Sequence, residues 1–424
     1  MRPRTTQVDT RTTKVGQAVE NDAGRGFGVV LPFVLVITMT MGAFQLIALA
    51  VVANDMLDDL GMSAAVFGAL TAVNTIVGAL FAQKSGRLSD RIGPKASVIW
   101  VLVLSAVGLF ITAVANGAIL LLVAVFISGF GQGWCNPSTN KLIAERVPAG
   151  NRGVITGVKQ SGVQLGTLLA GVTLPSLALA FSWRAGMVAY GLLATAAAIA
   201  TWLLLPPDTG QAPTANEAKN QAKGPLGRPI LMLSLYALLM GTVVGGVGRF
   251  LPLFVEDELG LSNVLAGLVS GLLGGLAVFT RIAWARIAER HMAPSQALFI
   301  NAGLTTVAMF LLVAAISFGS WLVWVMAVVG ALGLNAWNAV AMLAVISGVP
   351  SQQAGRASGV VVAGFMAGLS TGGIYAGVIW DQFGSYRPVW ITFAALAAAA
   401  AVVAGANGRV GEAPSGTSGS GAGA

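Results

Sequence analysis

"GRLSDRIGPK", residues 86–95, carries four charges in ten positions and lies between two long apolar runs. Its two glycines and its proline oppose a helix running through it, so it reads as a turn that joins two apolar segments. Over the whole chain of 424 residues only 9% are charged and 56% are hydrophobic. Soluble domains carry roughly 25% charged residues, so most of this surface faces something other than water. The net charge of +8 is spread among apolar runs. That pattern fits a membrane protein with basic loops and argues against a nucleic-acid partner. The single Cys135 leaves no internal disulfide and no cysteine metal cluster.

Outward from the decapeptide, the apolar runs are long enough to cross a bilayer core of about 30 Å, which takes roughly 20 residues. They predict spans near 28–53, 63–83, 96–115, 118–144, 153–181 and 185–205, then near 229–254, 262–284, 295–316, 319–347, 356–380 and 388–406. The expected organisation is a disordered tail over 1–27, a six-helix bundle over 28–205, a solvated linker over 206–228, a second bundle over 229–406 and a disordered tail over 407–424. With both termini in the cytoplasm, all of the 24 Lys and Arg except Lys159, Arg184, Arg249 and Arg387 fall on cytoplasmic segments. The positive-inside rule selects that orientation.

The two halves repeat. "DLGMS" (59–63) matches "ELGLS" (258–262), and at the same offset the decapeptide falls on "ARIAERHMAP" (285–294). Arg87 then meets Arg286, Asp90 meets Glu289, and Arg91 meets Arg290. Further along, Gly157, Gly162, Gly166 and Gly171 meet Gly359, Gly364, Gly368 and Gly373, and "SWR" (182–184) echoes "SYR" (385–387). An ordered series of this kind implies an all-α membrane protein of 12 transmembrane helices in two pseudo-symmetric six-helix bundles. Such repeats are common in transporters, which bind solute near the midplane between the halves.

Six spans, a linker and six spans, with this decapeptide after span 2, resemble the major facilitator superfamily. The family pattern there is Gly-x-Leu-(Ser/Ala)-Asp-Arg-x-Gly-Arg-Arg. The chain supplies Gly86, Leu88, Ser89, Asp90, Arg91, Gly93 and Lys95, while Pro94 replaces the first of the final basic pair. The resemblance implies a conformational latch that closes the cytoplasmic side, made of Gly86, Asp90, Arg91, Gly93 and Lys95, with Arg286, Glu289 and Arg290 as repeat partners. Physically, Asp90 can accept from the N-terminus of a neighbouring helix. Arg91 can pair with a carboxylate, Gly86 can let helices approach, and Gly93 can make the turn.

Ionisable residues inside a membrane are functional candidates. All 16 acidic residues fall in tails, loops or span ends. Lys159, seven residues beyond Arg152, lies about 10 Å of helix rise into span 5. Its repeat counterpart is Val361, and that of Gln160 is Val362, so the Lys-Gln pair belongs to one half only. Snorkelling to the interface is the alternative for Lys159. Arg249, near the outer end of span 7, likewise lacks a basic counterpart; Ala50 stands there. Amides add Gln45 in span 1, Gln132 and Asn136 in span 4, and Asn335 and Asn338 in span 10. They can line a cavity or simply hydrogen-bond between helices. Together Lys159, Gln160, Arg249, Gln45, Gln132, Asn136, Asn335 and Asn338 form the candidate substrate set.

These residues favour a secondary transporter for a small anion or organic acid, working by alternating access in a bacterial cytoplasmic membrane. The segment "GVKQSGVQLG" (157–166) is similar to span 5 of cyanate-permease-like and organic-anion members. An exporter of drugs or other hydrophobic compounds is the alternative; it lacks the embedded carboxylate that cation export wants and the family's Gly-Pro antiporter pattern in span 5. An enzyme is not expected, because the only histidine, His291, sits in a loop and the spans show no metal-ligand spacing. No cofactor or metal is expected. The partners are a small solute and the bilayer, a coupling proton or other ion is left open, and the chain is expected to be a monomer.

Overall fold

The computed structural model describes residues 29–208 and 226–407. The expected tails and the middle of the expected linker lie outside the described residues. Among the described residues twelve helices are long and apolar enough to cross a membrane. They are α1 Val30–Val51, α2 Val66–Ile92, α3 Pro94–Ala113, α4 Ala118–Arg146, α5 Arg152–Ala180 and α6 Trp183–Leu204 in one half. The other half holds α7 Arg228–Glu258, α8 Leu265–Arg290, α9 Pro294–Phe318, α10 Leu322–Gly348, α11 Ser351–Phe383 and α12 Tyr386–Ala406. The described residues contain no strand, so the molecule is a helical membrane protein of six plus six spans.

Local chemistry explains the sequence repeats. Gly61 and Gly260 take left-handed φ of 60° and 64°, a region open to glycine. Each is followed by a serine cap: Ser63 Oγ accepts from Val66 N, and Ser262 Oγ accepts from Leu265 N. The "DLGMS" and "ELGLS" matches are therefore helix starts. Ser182 and Ser385 cap α6 and α12 in the same way. Pro94 and Pro294 open α3 and α9, where the missing N–H costs nothing.

One expectation is corrected at the decapeptide. The helix does not break at Gly86 but continues to Ile92, and only Gly93, at φ 88°, turns the chain. Gly86 serves the close helix approach expected of it. A Cβ there would fall under 3.0 Å from the Gly355 carbonyl of α11, and one at Gly355 would do the same to Gly86 O. The related seam between α5 and α8 is built alike, with Gly153 against Ala285 O and Gly157 against Ile282. Small residues let membrane helices approach closely enough for dispersion contacts to hold them. These two seams join the halves at the end that bears the decapeptide.

Candidate functional site

Much of span α5 is exposed, yet Lys159 and Gln160 are 0% and 1% exposed. This Lys-Gln pair therefore faces inward. The helix is only locally distorted at Ser161, whose backbone stays helical at φ −72° and ψ −13°. Span α10 is interrupted over 334–336, between Leu322–Gly333 and Trp337–Gly348. Irregular backbone persists at membrane depth only where protein or a watery cavity satisfies it.

Lys159 Nζ donates to Asn136 Oδ1 at 3.2 Å, to Thr139 Oγ1 at 3.2 Å and to Asn140 Oδ1, all on α4. Three side-chain oxygens thus meet the three N–H donors of an ammonium. Gln160 Nε2 donates to Asn136 Oδ1 at 2.9 Å and to Asn338 Oδ1 of α10 at 3.1 Å. Asn136 and Asn338, 202 residues apart like Gly157 and Gly359 and so equivalent in the repeat, converge on a glutamine that only one half possesses. Asn140 Nδ2 extends the network to Ser358 Oγ on α11 at 2.8 Å.

A second buried base completes this centre, and sequence reasoning missed it. Arg281 of α8 is 8% exposed. Its Nε donates to Asn335 O at 2.7 Å, and its Nη1 donates to Gln160 O at 2.7 Å and to Gln164 Oε1. The guanidinium therefore holds a backbone carbonyl on each of α5 and α10 and ties α8 to both. Counting Arg281 with the cytoplasmic charges placed it on the wrong side of a span end. Its repeat counterpart is Ala82, so the asymmetry test that found Lys159 would have found it. Among the described residues neither Lys159 nor Arg281 forms a salt bridge.

Other candidates lie apart. Gln45 Nε2 donates to Thr112 Oγ1 of α3 at 2.6 Å, inside the first bundle. Gln132 is buried near Gly78 of α2, and its Oε1 has no hydrogen-bond partner among the described residues. Asn335 joins the centre through its carbonyl; its side chain reaches Leu273 O at 3.5 Å. Arg249 is exposed, and its side chain lies over Gly373 of α11.

At the decapeptide end the repeat produces two matching contacts. Asp90 accepts from Gly355 N at 3.1 Å and from Arg356 N at 2.9 Å, at the start of α11. Glu289 accepts from Gly150 N at 3.1 Å and from Gly153 N at 2.8 Å, at the start of α5. Each carboxylate on one half thus caps a helix N-terminus of the other, where the unpaired N–H groups and the helix dipole favour an anion. The cation beside Asp90 is Lys141 of α4, at 3.4 Å, and not Arg91. Arg91 sits on the exposed side of α2, because the helix continues past Asp90 and turns the next residue outward. Lys95 works within its own half: its backbone N donates to the Asp208 carboxylate and its Nζ to Trp202 O and Leu205 O. Gly93 packs directly on that carboxylate. Arg286 and Arg290 are exposed and, with Arg146, flank a pocket of about 340 Å³ between the halves.

The family model described as Major Facilitator Superfamily matches residues 33–362. The hexuronate transporter of Bacillus subtilis is 34% identical over 146 residues, 33% of each chain. The gallate transporter of Pseudomonas putida is 28% identical over 182 residues, 42% of this chain and 39% of that one. The chain thus aligns with a third to two fifths of the length of these relatives. In structure, the proton:xylose symporter XylE superposes with a TM-score of 0.73 at 15% identity, covering 88% of this chain and 94% of that one. The chain belongs to the Major Facilitator Superfamily, whose members are membrane transporters and not enzymes.

Proposed function

We propose that this protein is a secondary active transporter for a small organic anion, working by alternating access with the decapeptide end in the cytoplasm. One observation carries the reading. Lys159 and Arg281 lie buried at the contact of the halves, and neither has a salt-bridge partner among the described residues. A buried base without a counter-ion is costly, and an anionic solute offsets that cost while it is bound. The relatives named for hexuronate and gallate, both organic anions, point the same way.

The Asp90 and Glu289 contacts supply the gate. They hold the decapeptide end shut while a crevice lined by α5, α7, α8 and α10 stays open elsewhere. Asp90→Asn keeps the size and one acceptor but removes the charge from a helix N-terminus. Transport into liposomes is expected to fall at least about tenfold, or about 1.4 kcal/mol, while solute binding and the thermal midpoint stay near wild type. A wild-type rate would remove the gating role.

The solute class is tested by thermal shift of the purified protein against carboxylates, inorganic anions, neutral sugars and cationic drugs. An anion is expected to give the largest stabilisation. A cation giving the largest shift would overturn the anion reading.

A further inference from the structure

Gly86, Gly153, Gly157 and Gly355 sit at close helix contacts between the halves. Gly271, Gly274 and Gly275 of α8 do not, since a Cβ added at any of them meets nothing within 4 Å. These three positions, with Ser270 and Val278, line one wall of a cavity of about 430 Å³. Ligand pockets occupy roughly 300–1,000 Å³. The glycines here keep space open.

The cavity has a polar end and an apolar body. Residues 270, 274, 278 and 281 share one face of α8 by helical spacing, so the wall leads toward Arg281, seven residues or about 10 Å of rise beyond Gly274. Arg281 holds Gln164 Oε1 and Asn335 O, and both Gln164 and Asn335 line the cavity. Arginine only donates, so the Gln164 carbonyl oxygen is fixed toward it and the Nε2 donor is left for another partner. Ser270 Oγ is buried with no hydrogen-bond partner among the described residues. The remaining wall is apolar and includes Leu165, Leu168, Val244, Val247 and Leu251.

We infer that this cavity binds a monocarboxylate with an aromatic-sized apolar body. The carboxylate lies at the Gln164 end under the field of Arg281, and the apolar body lies along the glycine wall of α8. The inference rests on the anion reading above and narrows it. Polyhydroxylated acids fit poorly, because their hydroxyls would be desolvated against the apolar wall without partners. Small inorganic anions leave that wall unfilled.

The test titrates the purified full-length protein with benzoate, 4-hydroxybenzoate, glucuronate and nitrate, in wild type and in Gly274→Phe and Gly271→Leu. Each substitution fills the cavity from a position where a Cβ clashes with nothing, and a glycine removed from a helix interior does not weaken the helix. Thermal midpoints near wild type establish folding, and the second variant serves if the first unfolds. 4-Hydroxybenzoate is expected to bind at least about tenfold more tightly than glucuronate or nitrate. Either filling variant is expected to weaken benzoate binding at least about tenfold. Glucuronate or nitrate binding as tightly as the benzoates, with the filling variants unchanged, would overturn this inference and leave the anion reading standing. Binding of none of the four would count against both.

Discussion

Lys159→Gln is expected to lower affinity for the anionic solute at least about tenfold, or 1.4 kcal/mol, without lowering the stability of the empty protein. The glutamine can still reach Asn136 or Thr139, which now hold the amine at 3.2 Å. What it removes is the charge. A base that is 0% exposed and lacks a carboxylate partner carries an uncompensated desolvation cost in the empty fold, and a neutral group of similar size that keeps a hydrogen bond avoids it. The thermal midpoint without solute is therefore expected to stay level or rise while the dissociation constant grows. Lys159→Arg is expected to keep part of the affinity, limited by the planar guanidinium in a site shaped for three converging oxygens. Calorimetric titration and melting of the same preparations separate the two effects. A fall in stability with unchanged affinity would make Lys159 a structural residue only.

Gly355→Val is expected to stall the transport cycle. The added side chain would meet the Gly86 carbonyl and the Asp90 carboxylate, and backbone on the other side of the seam cannot move aside without parting α2 from α11. Overpacking of this kind costs about 1–3 kcal/mol. In the proposed cycle the halves part here when the decapeptide end opens, so the cost falls on one conformation. A differential of that size shifts a two-state equilibrium about 5- to 150-fold. Uptake is expected to fall by a similar factor. Normal uptake would show that this seam does not form during the cycle.

The fold was legible because its signals are redundant. Twelve apolar runs, the glycine-serine helix starts at 61–63 and 260–262 and the Asp90–Glu289 correspondence all point to the same six-plus-six arrangement. The helix through Gly86 was not legible, since a glycine that breaks a helix and one that admits a neighbouring backbone look alike in a sequence. In the candidate site, asymmetry between the repeats singled out Lys159 and Gln160, and the structure brings Asn136 and Asn338 to them. Arg281 and Lys141 escaped because both lie near span ends, where a basic residue is ordinarily a topology signal. Only the tertiary contact shows that Arg281 turns inward to Gln160 and Asn335. Gln45 was grouped with the cavity by span number, whereas its amide meets Thr112 of the neighbouring helix.

Uptake of a labelled organic carboxylate into liposomes, compared between the wild-type protein and Lys159→Gln, tests anion transport most directly. Wild-type uptake is expected well above protein-free liposomes, inhibited by other carboxylates but not by neutral sugars or cationic drugs, and reduced at least about tenfold in the variant at sub-saturating solute. Uptake by Lys159→Gln at the wild-type rate, with cations or neutral sugars competing as well as carboxylates, would contradict the anion reading.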